Sequence, residues 1–350
     1  MLAAQSNEVS SLLAPGAKPG HGSSWKALSE PVEPFLEAVS ARLAKEVEAF
    51  DPDVAPYADY ALKGQGKHLR PVLVAHSANA CGQILEGHIT VAVIIEMVHL
   101  ATLVHDDVMD EAEIRRGRLT LAANWGNEIA VLFGDCLFAQ ALSLAASFPT
   151  PDVCRAVALA TKTVCSGEIL QTQHRRDFKF SREKYFRVLE MKTAELFALS
   201  GELSAALGGS GEEQRQTLRQ FGLAFGTAYQ LYDDCIDLFG SEKIAGKSLG
   251  TDLAKGKITL PILLLWERAD AEEKRYLQEV IQSWNILSWK RLEGLLSKYD
   301  TLSISRGILQ QYLEKARGLA ASLPGSSGRD GLIGLTRYLA RQTESLGISA

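Results

Sequence analysis

Apolar residues recur along this chain at helical spacing. Between Pro34 and Phe50 they fall at Phe35, Val39, Leu43 and Val47, a single stripe along one helix face. The same reading predicts helices over His68–Ala80, Ile89–Asp110, Glu128–Ala146, Pro151–Gln173, Ser181–Leu207, Glu212–Leu238 and Thr259–Trp266, with further amphipathic helices toward the C-terminus. Ile89–Asp110 is apolar nearly all round, which predicts a central position. No alternating β-branched run bounded by turn residues stands out. Proline punctuates the first fifth of the chain and then falls only at Pro149, Pro151, Pro261 and Pro324, leaving long stretches rich in good helix formers. The fold class read from this pattern is all-α, a helical bundle around a central cavity. Residues 1–24, rich in Ser, Gly and Pro, read as a disordered tail. With no linker or fixed-period repeat, 25–350 reads as a single all-α domain.

Composition narrows the function classes. Of 350 residues, 46% are hydrophobic and 23% charged, which suits a globular chain and excludes a disordered one. The net charge is −5, so no nucleic-acid partner is expected and any bound anion needs a local cluster of Lys and Arg. Five cysteines (Cys81, Cys136, Cys154, Cys165 and Cys235) form no CxxC pair. With no secretory signal, they read as buried free thiols in a reducing compartment, hence a cytoplasmic protein. The longest apolar stretch, VAVIIEMVHLATLV, carries Glu96 and His99 and is too short to span a membrane, so no transmembrane segment is predicted.

Two acidic motifs carry the chemistry. Asp106-Asp107-Val108-Met109-Asp110 and Asp233-Asp234-Cys235-Ile236-Asp237 are both DDxxD, each ending a strongly apolar helical run. Positions i and i+4 share a helix face, so Asp106 lies with Asp110 and Asp233 with Asp237. A solvated helix end would interleave Lys or Arg at i+4, and neither motif does. Burying unpaired carboxylates is costly. Clustered Asp at a cavity mouth therefore calls for cations, and oxygen-only ligands in a phosphate context favour Mg²⁺. Basic residues stand near each motif: Lys67 and Arg70, Arg115 and Arg116, Lys192, Lys247 and Lys257. Arg suits bidentate phosphate contacts and Lys supplies a point charge.

From about Phe35 onward the chain closely resembles the trans-isoprenyl diphosphate synthases, or polyprenyl synthetases, of long-chain type. The markers are GKHLRP, HLATLVHDDVMDEAEIRRG, WGNEIAVLFGDCLFAQAL, GEILQTQ, MKTAEL and AYQLYDDCIDLFGSEKIAGKSLGTDLAKGKITLP. The resemblance implies an all-helical fold with a deep central cavity and a homodimer. It implies that Asp106, Asp110 and Asp233 ligate Mg²⁺, three ions in all, holding an allylic prenyl diphosphate, with Asp107, Asp234 and Asp237 in support. Arg115, Lys192 and Lys247 would contact that diphosphate, and Lys257 lies beside them. Lys67, Arg70, His99 and Arg116 would hold isopentenyl diphosphate. Lys192, Thr193 and Gln230 would face the developing allylic cation. The implied reaction is ionisation, condensation and elimination, with the released diphosphate as proton acceptor. His68 stands where the family usually has Arg.

Small residues, Ala101 and Thr102, precede the first motif by about one turn, with Val98, Met97 and Ile94 deeper. With nothing bulky to close that turn, a product of twenty-five carbons or more is expected, and Ala101→Phe is expected to shorten it. Three rivals are weaker. A metal phosphohydrolase leaves the second motif without a task. A terpene cyclase expects Asn, Ser or Thr with Glu in its second motif. A silent subunit of a heteromeric synthase typically loses aspartates that this chain keeps.

Overall fold

The longest apolar run forms the axis of the fold. In the computed structural model, which describes residues 24–63, 66–240 and 249–347, this helix runs Glu86–Met109. Numbered in chain order it is α5, following α1 (Trp25–Ser29), α2 (Glu33–Val47), α3 (Ala55–Leu62) and α4 (Leu69–Ala80). It buries side chains on every side because α2, α4, α7 (Asn127–Ala146) and α10 (Glu195–Leu207) surround it. Between α5 and α7 lie a two-stranded hairpin, β1 (Ile114–Arg115) with β2 (Arg118–Leu119), and α6 (Leu121–Trp125). Helices α8 (Asp152–Gln173) and α9 (Arg182–Leu189) follow α7. Next come α11 (Glu212–Phe239), α12 (Thr251–Ala254), α13 (Leu260–Arg268), α14 (Ala271–Gln282), α15 (Trp289–Lys298), α16 (Thr301–Ala321) and α17 (Ser327–Glu344). The fold is all-α apart from the hairpin.

Most predicted helices match to within a few residues, and the stripe of α2 buries Phe35, Val39 and Leu43. One helix was predicted over Ser181–Leu207. It divides instead into α9, a π-helical turn Glu190–Ala194 and α10. Ser181 caps its start, accepting from Lys184 N at 3.3 Å. The hairpin and α3 were not predicted, since each is too short to show a period.

Three expectations need correction or delimiting. By length and composition α5 and α7 are long enough to cross a membrane, whereas the sequence reading found no such segment. The apolar stretch VAVIIEMVHLATLV is only part of α5, and it is the whole helix, Glu86–Met109, that is long enough. Its most apolar window is 61% buried inside the fold, against 39% for α7. The cysteines are all free, but Cys235 alone is fully buried, while Cys136 and Cys165 stand exposed on α7 and α8. The predicted tail lies outside the described residues up to position 23. Ser24 accepts from Ala27 N at 3.2 Å and caps α1.

Helix α11, which bears the second motif, reaches unusually close to α10. A Cβ on Gly222 would fall on the carbonyl oxygen of Phe197, and one on Gly226 would lie 2.7 Å from Ala194 Cα. Gly307 on α16 has open space around it. Gly222→Ala is expected to cost about 1–3 kcal/mol by overpacking, despite a helix-propensity gain of up to about 1 kcal/mol. Gly307→Ala should show only that gain. Thermal unfolding of the two variants checks the contrast, and a higher Tm for both would show that the close approach imposes nothing.

Candidate functional site

Two adjoining cavities open at the ends of α5 and α11. One, of about 810 Å³, is lined by Asp106, Asp110, Asp233, Asp234, Lys192 and Lys257, and also by the apolar side chains of Phe138, Val164, Leu189 and Leu196. The other, of about 510 Å³, is lined by Lys67, Arg70, Arg115, Arg116 and Arg118 with only a few acids, among them Glu96. His99, Arg70, Asp107, Arg115, Arg116 and Asp233 line both, so the cavities share a wall.

The first motif sits where α5 ends. Asp110 is the C-cap, with its N–H bonded to Asp106 O at 2.8 Å, which keeps the two carboxylates on one side. Asp110 meets Lys257 Nζ at 2.8 Å, Arg175 Nη2 at 2.9 Å and Lys255 Nζ at 3.1 Å. Burial alone would raise its pKa, but Lys257 and Lys255 outweigh burial and hold it down at about 2. Asp106 faces Lys192 Nζ at 3.6 Å, and there burial wins, raising the carboxyl. Asp107 turns the other way and accepts from Arg115 Nε at 2.7 Å, yet burial raises it too.

Lys192 and Thr193 belong to the π-helical turn, a form that often marks functional positions. Lys192 is held by Asp106, by an ion pair with Glu168 and by Gln171 Oε1 at 3.0 Å. Burial opposes its charge, but Asp106 and Glu168 prevail and raise its pKa. Gly167 on α8 lets this turn approach, since a Cβ there would sit 2.8 Å from Lys192 N. Thr193 Oγ1 donates to Gln230 Oε1 at 2.8 Å, and Gln230 Nε2 donates to Asp234 Oδ1 at 2.8 Å. Tyr185 OH completes the chain, donating to Asp234 Oδ2 at 2.5 Å. Burial, and then the charge of Asp252, push Asp234 up to about 8.

The second motif therefore splits. Asp233 is exposed at the shared wall and Asp234 is buried in the hydrogen-bonded chain. Asp237 does not reach either cavity. Its carboxylate accepts from Thr251 Oγ1 at 2.6 Å, Thr251 N at 3.2 Å and Asp252 N at 3.1 Å, capping α12. That cap turns the Asp252 side chain into the larger cavity.

The cations of the smaller cavity come from separate elements. Lys67 Nζ donates to Tyr338 OH at 2.7 Å. Arg70, in the first turn of α4, lies 4.6 Å over the Phe197 ring, and its buried Nε has no partner. Burial lowers the Arg70 pKa. His99 is pushed well below its ordinary value by burial and then by Arg70, Arg116 and Arg115. Such a pocket, with an orphaned guanidinium donor and a neutral His among arginines, suits an anion.

The structure thus brings together every described candidate except Asp237, while Lys247 lies outside the described residues. Lys257, which follows the second motif in sequence, bonds to the first. The path expected along α5 is corrected: Ala101, Val98, Met97 and Ile94 are buried against neighbouring helices and line neither cavity. Thr102, one position on, does line the larger one. Asp252, Lys255, Arg175, Glu168, Tyr185 and Arg118 were not singled out from sequence. Asp252 and Lys255 lie within one marker segment, GTDLAKGK, and Glu168 within another, GEILQTQ.

Comparison with known proteins agrees with this architecture. Residues 52–288 match the polyprenyl synthetase family. The chain is 31% identical over 304 residues to the octaprenyl diphosphate synthase of Haemophilus influenzae, covering 87% of this chain and 92% of that protein. It is 33% identical over 317 residues to heptaprenyl diphosphate synthase component 2 of Geobacillus stearothermophilus, covering 91% and 98%. A polyprenyl synthase from Caulobacter crescentus CB15, solved as a complex with calcium and isoprenyl diphosphate, superposes with a TM-score of 0.86. It is 30% identical, with 92% of this chain and 99% of that one covered. The chain belongs to the polyprenyl synthetase family.

Proposed function

We propose that this chain is a trans-prenyltransferase that lengthens an allylic prenyl diphosphate with isopentenyl diphosphate to a product of twenty-five carbons or more. The observation that carries this reading is the pair of cavities. One is lined by acidic side chains together with apolar ones and the other is ringed by cations, and they meet at His99, Asp107, Arg115 and Asp233. Two diphosphates can lie side by side there, held in different ways.

In the larger cavity Asp106, Asp110 and Asp233, with Asp107 and Asp234 in support, would hold Mg²⁺, proposed as three ions. Among the described residues no three ligating side chains stand close enough to hold a metal alone. Mg²⁺ usually takes one or two carboxylates and completes its shell with water and substrate phosphate. An oxygen-only donor set of this kind fits that habit, and the calcium and isoprenyl diphosphate of the Caulobacter relative support a divalent ion here. Bound Mg²⁺ would supply neutralisation of the diphosphate leaving group. Lys192, Lys257, Arg115 and Lys247 would add direct contacts to that diphosphate, and Asp252 belongs with the acids of the rim. Asp237 would act as an anchor of α12.

As the allylic C–O bond breaks, its electron pair leaves with the diphosphate and positive charge develops on carbon. Thr193 donates its hydroxyl hydrogen bond to Gln230 Oε1, so its oxygen lone pairs are left to face that charge. Gln230 is held in this orientation by Asp234. Isopentenyl diphosphate, held by Lys67, Arg70, His99 and Arg116, presents its double bond to the cation. A new C–C bond forms and a proton leaves to the released diphosphate. The apolar lining of the larger cavity takes the growing chain.

Residues 25–350 are proposed to work as one domain, in the cytoplasm, where five free thiols fit a reducing milieu. A homodimer is proposed through α7 and α8, which expose Leu132, Leu159 and Ile169 at 57–61%. A second reading, one subunit of a two-component synthase, is favoured by the Geobacillus relative, named as a component 2.

Purified chain given isopentenyl and farnesyl diphosphates with Mg²⁺ should make products longer than twenty carbons, and EDTA should abolish them. Products stopping at twenty carbons would keep the reaction and remove the open-cavity reading. Elongation only after a partner subunit is added would establish the two-component reading. Thr102→Phe should shorten the product, whereas Ala101→Phe should lower Tm, because Ala101 is buried outside the cavity. Product sizing and thermal melts of both variants test that reversal. Asp106→Ala should lower kcat by at least about 10²-fold. Asp237→Ala should show its main effect as a Tm loss corresponding to about 1–2 kcal/mol, the value of a helix cap. Equal kcat losses with unchanged Tm would put Asp237 back among the metal ligands.

A further inference from the structure

Strands β1 and β2 turn at Arg116 and Gly117, both in the left-handed region with φ of 51° and 74°. The antiparallel register sets Arg115 opposite Arg118. Side chains opposite one another in such a pair leave the ribbon on the same face, and both line the smaller, basic cavity. Their commitments differ. Arg115 is bound to Asp107 at 2.7 Å, and it lines both cavities. Arg118 lines only the basic cavity, and among the described residues no carboxylate pairs with it. Its guanidinium lies 4.4 Å over the ring of Tyr60. Tyr60 is itself fixed, since its hydroxyl donates to Leu119 O at 2.7 Å and its ring meets Trp125 edge-on at 4.9 Å.

A guanidinium stacked on an aromatic face keeps its N–H donors in the plane, free for an anion beside the ring. Across the same cavity the buried Nε of Arg70 lacks a partner, and Lys67 is tied to the neutral hydroxyl of Tyr338. We propose that Arg118 is a further substrate-binding residue, which contacts the diphosphate held in the basic cavity and sets affinity for that substrate alone. This rests on reading the basic cavity as the isopentenyl diphosphate site. The hairpin thereby divides the work among its arginines: Arg115 and Arg116 serve the shared wall, and Arg118 serves one side of it.

Steady-state kinetics of Arg118→Ala should show KM for isopentenyl diphosphate raised about tenfold, the scale of one partly exposed charge-assisted hydrogen bond. KM for the allylic substrate and kcat should stay within about twofold of wild type, while Arg115→Ala should disturb both substrates. Arg118→Lys should recover part of the loss. Arg118→Gln keeps a polar stem over Tyr60 without the charge, so wild-type affinity in that variant would overturn the proposal, as would an equal rise in both KM values or no rise. Calorimetric titration with isopentenyl diphosphate in EDTA separates this from the overall function. Wild-type protein that binds it but makes no product would sink the elongation reading, and Arg118→Ala would then be judged by binding alone. Wild-type protein that binds none would overturn both.

Discussion

Carboxylates buried at the ends of apolar helices must meet positive charge, and the rest of this site is arranged around that requirement. Asp106, Asp107, Asp110 and Asp234 all lie where burial works against ionisation. Each finds a different answer. Asp110 collects three cations and stays ionised, with its pKa near 2. Asp107 has one arginine, Asp106 shares a lysine with Glu168, and Asp234 has only neutral donors. The gradient from a saturated to an uncompensated carboxylate runs across a few helix turns. It leaves the cavity rim able to accept more positive charge, as a metal-dependent diphosphate site needs.

The scaffold serves that gradient by bringing three backbone departures to one place. Helix α5 ends at Asp110, the chain passes through a π-helical turn at Lys192 and Thr193, and α12 begins under the cap of Asp237. Glycines allow the approach. Gly167 admits the π turn and Gly222 admits α11 against α10, so the elements carrying Lys192, Thr193, Gln230 and Asp234 sit within hydrogen-bond reach. The polar chain from Tyr185 through Asp234 and Gln230 to Thr193 is internally satisfied, which fixes side-chain directions before any ligand arrives.

The division into two cavities follows from the hairpin. Its tight turn puts three arginines within four residues, and its pairing sets Arg115 against Arg118. One ribbon thus bounds an acidic cavity, where diphosphate would be held through metal, and a basic one, where it would be held directly. On the proposed function, two substrates that must react with each other would be kept apart in their binding chemistry and adjacent in space.

Much of this was legible in the sequence. Helical spacing and the scarcity of proline set the all-α fold, because a helix period repeats over enough residues to be read locally. The two DDxxD motifs and their attendant Lys and Arg identified the chemistry, because side chains four apart must share a helix face. What the sequence could not reveal depended on distance in the chain. Lys257 meets Asp110 and Arg175 meets Asp110 only because the turn after α8 and the segment after α12 converge on the end of α5. Asp237 looks in sequence like its neighbours, but Thr251 and Asp252 at the start of α12 occupy its carboxylate. A rotation of one residue on α5 separates Thr102 in the cavity from Ala101 in the core. Local periodicity determines which elements form and which residues share a face. Only the packing of remote elements decides which face looks into the cavity and which charges meet there.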